Sequence, residues 1–124
     1  MTSASNLTSV IAVLPVADYD AAIAWYAKWI GRQPDVEPAD GVAEWQIAEQ
    51  AWIQVSTDPA PAGQTTVVIG VADLDAQRAS CAAAGAPLGE VNDYGFLKTT
   101  AAQDPAGNTI TFVQEVAQEE GRPG

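Results

Sequence analysis

The chain has no histidine in its 124 residues, and 5 lysines and arginines stand against 16 aspartates and glutamates. The first absence excludes Ser-His-Asp triads, Cys-His pairs, histidine-ligated zinc and the two-histidine, one-carboxylate iron site at one stroke. The shortage of cations, at a formal charge of −11, argues against nucleic-acid binding, because neutralising phosphates takes clustered Lys and Arg. Cysteine is almost missing too. Cys81 is alone, which rules out an intramolecular disulfide and a multi-cysteine metal site. Its alanine-rich surroundings, with no basic neighbour nearer than Arg78, read as a buried, inert thiol rather than a nucleophile. No apolar run approaches a membrane span, and Met1-Thr2-Ser3-Ala4-Ser5-Asn6 lacks the basic region of a signal peptide. The expectation is a cytoplasmic protein with no nucleic-acid partner and no membrane.

What is present is enough for a core. Apolar residues make up 48% of the chain, and the length suits one domain that buries roughly two thirds of its unfolded surface. Val10 to Val16 is an unbroken apolar run, the pattern of a strand covered on both faces. Asp18 then stands as the N-cap of a helix reaching Ile30, with Gly31 as its stop. Tyr19, Ile23, Tyr26 and Ile30 form an apolar stripe on that helix, with Trp25 and Trp29 as a second pair beside it. Past Gln33-Pro34 come three short strands, around Asp35–Pro38, Ala43–Ile47 and Ala51–Ser56. Asp58-Pro59-Ala60-Pro61-Ala62-Gly63 reads as a stiff linker.

The second half repeats the first. Val71-Ala72-Asp73-Leu74-Asp75-Ala76 echoes Val16-Ala17-Asp18-Tyr19-Asp20-Ala21, so that Asp73 answers Asp18 at an offset of 55 residues. Each copy is a strand, an aspartate cap and a helix; the helices stop at Gly31 and Gly85, and Pro34 and Pro87 follow. Strands near Gly89–Val91, Phe96–Thr100 and Asn108–Gln114 complete the second copy. The organisation is two βαβββ units, 8–57 and 65–115, joined by the linker 58–64 and followed by a disordered tail, 116–124.

With that repeat, the Asp104-Pro105-Ala106-Gly107-Asn108 turn before the last strand and the Ala24-Trp25-Tyr26 to Ile30-Gly31 helix end, the chain resembles the vicinal-oxygen-chelate superfamily. That group includes glyoxalase I, extradiol dioxygenases, fosfomycin-inactivating enzymes and bleomycin-resistance proteins. The resemblance runs over roughly residues 8 to 115. It implies an α+β fold in which tandem βαβββ repeats form a cupped, mostly antiparallel eight-stranded sheet with helices on the convex side. The turn itself needs Gly107 free to take a positive φ. In metal-dependent members of the superfamily four strands each place one ligand on the concave face. Aligned here, those positions fall on Ile11, Gln54, Thr66 and Thr111. None is a good ligand for a divalent cation, so the resemblance implies a cup without metal or other cofactor, and without catalytic residues of that kind.

Alternation then says what lines the cup. Ile11, Val13, Trp52, Gln54, Thr66, Val68, Thr109 and Thr111 share the concave parity, with Trp45, Tyr94 and Phe96 as aromatics at its rim or wall. The opposite parity, Ala12, Leu14, Ile53, Val55, Val67, Ile69, Ile110 and Phe112, belongs beneath the helices. Such a cup is apolar and aromatic with a few neutral polar groups, which suits a small hydrophobic or aromatic molecule. The metal-free bleomycin-resistance branch is the nearest analogue in character: its members are small, acidic homodimers that sequester a cationic antibiotic between subunits. This chain shares the acidity, the turn and the Tyr94-Gly95 pair upstream of it, at a slightly longer spacing. Most of the acids have local explanations. Asp18, Asp20, Asp73 and Asp75 start helices, and Glu115, Glu119 and Glu120 belong to the tail, leaving Glu44, Asp58, Glu90 and Asp93 to bias a cavity mouth toward cations.

Three functions follow. The first is a metal-free homodimeric protein that binds, and thereby sequesters, an aromatic or cationic natural product. The second is a metal-independent lyase or isomerase, for which no pair of carboxylates falls on the concave parity and Lys98 is the only basic residue on a late strand. The third is a structural module whose cup is filled.

Overall fold

In the computed structural model, residues 6–57 and 61–116 are described; part of the 58–64 linker and the tail beyond 116 lie outside them. The first unit runs β1 (Val10–Pro15), α1 (Tyr19–Ile30), β2 (Val36–Ala39), β3 (Val42–Ala48) and β4 (Ala51–Ser56). The second runs β5 (Thr66–Gly70), α2 (Leu74–Ala83), β6 (Asn92–Asp93), β7 (Leu97–Gln103) and β8 (Thr109–Glu115). Both helices begin where an aspartate satisfies a free backbone N–H: Asp18 accepts from Ala21 and Asp73 from Ala76, each at 3.0 Å. Such a cap contributes about 1 kcal/mol. Gly31 ends α1 at φ 92°, and Gly85 follows α2 at φ 89°.

The eight strands divide into two sheets of four, ordered β1-β4-β3-β2 and β5-β8-β7-β6. In each, the first strand pairs parallel with the last and the other ladders are antiparallel. No ladder joins β1 to β5 among the described residues. The sixth strand lies later than the pattern around Gly89 suggests. The Gly89 carbonyl accepts from Thr100 Oγ1 at 2.8 Å and from Arg78 Nε at 3.2 Å, while its N–H donates to Ala101. Those bonds fasten the segment to its surroundings, and a ladder forms only at Asn92–Asp93.

One core serves both sheets. Leu14, Ile53, Val55, Ile110 and Phe112 are buried together with Tyr26, Trp45 and Leu74, and Ala12, Val67 and Ile69 pack against them. Full burial of a side chain of this size contributes about 2 kcal/mol. Helix α1 packs on β3 and β4, and its Trp29 meets Phe112 of the other sheet edge-on, centroids 5.4 Å apart. Helix α2 packs on β7 and β8. The helices therefore fill the layer the two sheets share, and each sheet turns its other face away from that layer. No helix among the described residues is long and apolar enough to cross a membrane.

The Asp-Pro-Ala-Gly-Asn turn is also a clamp between the units. Asp104 Oδ1 accepts from the N–H groups of Ala106, Gly107 and Asn108, all at 2.9 Å. Its Oδ2 accepts from Tyr26 Oη at 2.8 Å and Asn108 Nδ2 at 2.9 Å. Asn108 reaches both units, donating to the Pro15 carbonyl at 2.7 Å and accepting from Thr65 N–H at 3.0 Å. Asp104 and Asn108 are both buried. Burial first, then the Asp104 charge, pushes the Tyr26 hydroxyl far above the usual phenol range. Gly107 has φ 108°, as the turn requires.

Candidate functional site

The outward face of the first sheet carries Ile11 and Val13 from β1 and Trp52 and Gln54 from β4. Ile11 stands beside Trp52, and Val13 beside Gln54, in the parallel ladder. Ile11 is 46% exposed, a large apolar side chain in solvent on a strand whose other face is core. The outward face of the second sheet carries Thr66 and Val68 from β5 opposite Thr109 and Thr111 of β8. Val68 is 63% exposed. The predicted site residues thus form two open faces on the two sheets. They approach each other at one place, an apolar cleft of about 230 Å³ where Trp52 and Val68 meet Val10, Ala12, Ala48 and Ala51. Across the Ile47 and Ile69 side chains lies a second, more polar cavity of about 240 Å³. Its Arg32 is already held by Asp35, at 2.7 and 2.9 Å, and by the Gln46 carbonyl at 2.7 Å.

Trp45 is not a wall of this site. It is fully buried, its ring 5.9 Å from that of Tyr26 and its Nε1 donating to the Arg32 carbonyl at 3.0 Å. The cause is a change of register. Ala48 pairs with Ala51, but Gln46 pairs with Trp52 and Trp45 with Ile53, with an irregularity between Gln46 and Ala48. Uniform pairing outward from Ala48 and Ala51 would set Trp45 opposite Gln54 on the open face. The extra residue shifts the strand by one, and a shift of one exchanges its faces. Trp45 turns inward and Glu44 takes the place opposite Gln54.

Alternation does not place Glu44 on the open face, although its charge marks it for the cavity mouth, since no local signal locates the bulge. Gln54 Nε2 donates to Glu44 Oε2 at 2.6 Å, and both side chains are half-buried. Tyr94 and Phe96 flank Gly95 at the tip of the β6–β7 hairpin, where Tyr94 N–H donates to the Leu97 carbonyl. Both rings are exposed, and neither lines the cleft. Lys98 stands opposite Gln114, on the inward parity with Thr100 rather than on the open face. Burial pushes the Cys81 thiol up, which keeps it protonated and unreactive.

The positions where the fold holds a metal do not fit one. The Ile11 side chain offers no donor atom, Gln54 offers one neutral amide oxygen, and the hydroxyls of Thr66 and Thr111 are weak neutral ligands. The described residues contain no group of three or more His, Cys, Asp or Glu that could hold a metal ion.

In sequence, residues 11–113 match the family described as glyoxalase-like domain. No curated protein matches the chain. Among solved structures, it is similar to a glyoxalase/bleomycin resistance protein from Catenulispora acidiphila, with 27% identity and a TM-score of 0.82 over 89% of this chain and 100% of that one. It also shares its fold with TnmS3, an antibiotic binding protein from Streptomyces sp. CB03234, at 20% identity and a TM-score of 0.71 over 92% and 98% of the two chains. Lactoylglutathione lyase from Agrobacterium tumefaciens has the fold too, at 16% identity and a TM-score of 0.70 over 89% and 96%.

Proposed function

The chain belongs to the glyoxalase-like domain family, within the vicinal-oxygen-chelate superfamily, and from that membership we propose that it is a metal-free protein that binds and sequesters a small hydrophobic or aromatic molecule. One observation carries the reading. Where the fold holds a metal, this chain has Ile11, Gln54, Thr66 and Thr111, yet exposed apolar side chains still surround those positions: Ile11, Val13 and Val68. A face kept apolar in water serves a partner surface or a ligand.

The cleft of about 230 Å³ is smaller than the roughly 300–1,000 Å³ of a drug-sized site. The working site is accordingly a homodimer in which an open face of one copy covers an open face of the other, with Trp52 supplying a ring for stacking. The antibiotic-binding neighbour supports sequestration as the purpose. Lyase or isomerase chemistry has less to stand on. Lys98 faces inward, and of the two carboxylates on the strands of the first sheet, Glu37 is bonded to Tyr19 Oη, which leaves Glu44 without a partner acid.

Calorimetric titration with a panel of quinone, glycopeptide and other polycyclic aromatic compounds, alongside sedimentation velocity, tests the proposal. The expected result is a dimer that binds at least one class, with affinity falling about ten-fold or more in Trp52→Ala. A protein that binds none of them, or a dimer whose interface fills both open faces, would overturn it.

A further inference from the structure

Resting on that binding reading, we infer that the first sheet selects its ligand by charge: the Glu44–Gln54 pair is a negative pole that takes a protonated amine or amidine carried on a planar apolar body. The two residues face each other directly across β3 and β4. An ionised carboxylate only accepts hydrogen bonds, so the 2.6 Å contact from Gln54 Nε2 fixes the amide with its NH2 toward Glu44. Glu44 Oε1 and Gln54 Oε1 are left over as acceptors beside one remaining amide N–H. The balance favours a donor-rich ligand.

Among the described residues no ion pair neutralises this charge. The strands of this sheet, VIAVLP, VEPA, VAEWQIA and AWIQVS, contain no lysine or arginine and two acids. One of these, Glu37, accepts from Tyr19 Oη at 3.0 Å. The other is Glu44, and the ion pair among the described residues, Arg32 with Asp35, does not involve it. Val13, next to Gln54 in the ladder, and Trp52, two residues before it on β4, make an apolar border. A half-buried carboxylate bordered this way attracts a cation more strongly than one in open water, and the Trp52 ring adds cation–π attraction. The second unit has no counterpart: Ala101 and Thr111 stand in the equivalent places. The sign of the preference therefore comes from one residue pair in one half of the molecule. It also works against carboxylate and phosphate ligands, which would meet Glu44 with like charge.

Three ligands of one ring system test this on the full chain: proflavine, cationic at neutral pH; acridine, neutral; and acridine carboxylate, anionic. Calorimetry at low salt is expected to rank them in that order, with about ten-fold or more separating the first two, the yield of one charge-assisted hydrogen bond. Glu44→Gln keeps the shape and removes the charge. It should abolish the difference between proflavine and acridine. Gln54→Leu keeps the charge, and should retain a reduced preference for proflavine.

Equal binding of the three ligands by the unmodified protein overturns the inference without any variant, as does a preference that survives Glu44→Gln. In both cases the binding reading stands. If the acridines fail while other members of the wider aromatic panel bind, the charge inference falls alone. If nothing in either set binds, the parent reading falls and takes this one with it.

Discussion

The β3–β4 and β7–β8 hairpins hold the same place in the two copies of the repeat, and they differ in every respect that concerns function. The β7–β8 ladder is regular from Leu97–Glu115 to Gln103–Thr109, and its turn is tied down by five hydrogen bonds to the Asp104 carboxylate. The β3–β4 ladder changes register near its turn, and that turn is exposed, with Gln50 at φ 64°. The regular hairpin bonds to the other unit through Asn108. The irregular one positions Trp52, Gln54 and Glu44. One copy of the repeat holds the two units together and the other presents the more distinctive half of the candidate site. A buried clamp tolerates no slip, whereas an open face can use one.

The contrast breaks most readily at Asn108. Asn108→Ala leaves the part-buried Thr65 N–H without its acceptor, at about 1–3 kcal/mol, and takes one donor each from Asp104 and from the Pro15 carbonyl, which keeps the Gly63 N–H at 3.2 Å. With the packing of the buried side chain also lost, a decrease of about 3 kcal/mol or more in urea unfolding is expected, against about 1 kcal/mol or less for Gln50→Ala at the other turn. Equal losses would mean that the clamp is not what joins the units.

Next in size is a pair of tryptophans in one hairpin. Trp45→Ala empties a fully buried site and should cost about 3–5 kcal/mol. Trp52→Ala should cost about 1 kcal/mol of stability and show its effect in ligand binding instead. If the two exchanged behaviour, the bulge would be misplaced.

Gln50→Gly relieves a left-handed backbone at a residue with a side chain and should gain about 0.5–1 kcal/mol. The reverse change at the other turn, Gly107→Ala, should lose about 1–2 kcal/mol because φ there is 108°. Thermal melts of the two variants should move in opposite directions.

The smallest effect concerns protons. Tyr19, pushed up to about 12 by partial burial and then by its bond to Glu37, and Tyr26, raised further in the clamp, both hold their protons more tightly folded than unfolded. Their contribution is complete below pH 10 and is lost as the pH rises through the folded values, since the unfolded chain ionises first. Alkaline titration by tyrosinate absorbance should show Tyr19 ionising near pH 12. Tyr26 should ionise only as the fold opens, and Tyr26→Phe should remove that last step.

Much of this architecture is legible in residue order. The caps at Asp18 and Asp73, the stops at Gly31 and Gly85, and the inward parity of Leu14, Ile53, Ile110 and Phe112 each follow from a few neighbouring residues obeying a helical or strand period. The outward parity of the candidate residues on β1, β4, β5 and β8 was legible for the same reason. It was misread on β3, where Trp45 and Glu44 exchange faces. The aromatics Tyr94 and Phe96, expected at the rim, stand on an exposed hairpin tip away from the cleft.

Sequence alone determined that there are two βαβββ units, which side chains are available to each sheet, and that no histidine can bring a metal to the fold. Those conclusions rest on interactions within a turn of helix or a single strand, or on composition. Tertiary structure decided two other things. It chose the register of β3, because burying the indole of Trp45 against Tyr26 outweighs the disorder of one bulge. It also made the Asp104–Asn108 turn a joint between units, because its partners Tyr26, Pro15 and Thr65 are brought to it only when the two sheets close on a common core. The choice of register leaves Glu44 beside Gln54 on an apolar face, a carboxylate placed there by what the neighbouring tryptophan needed.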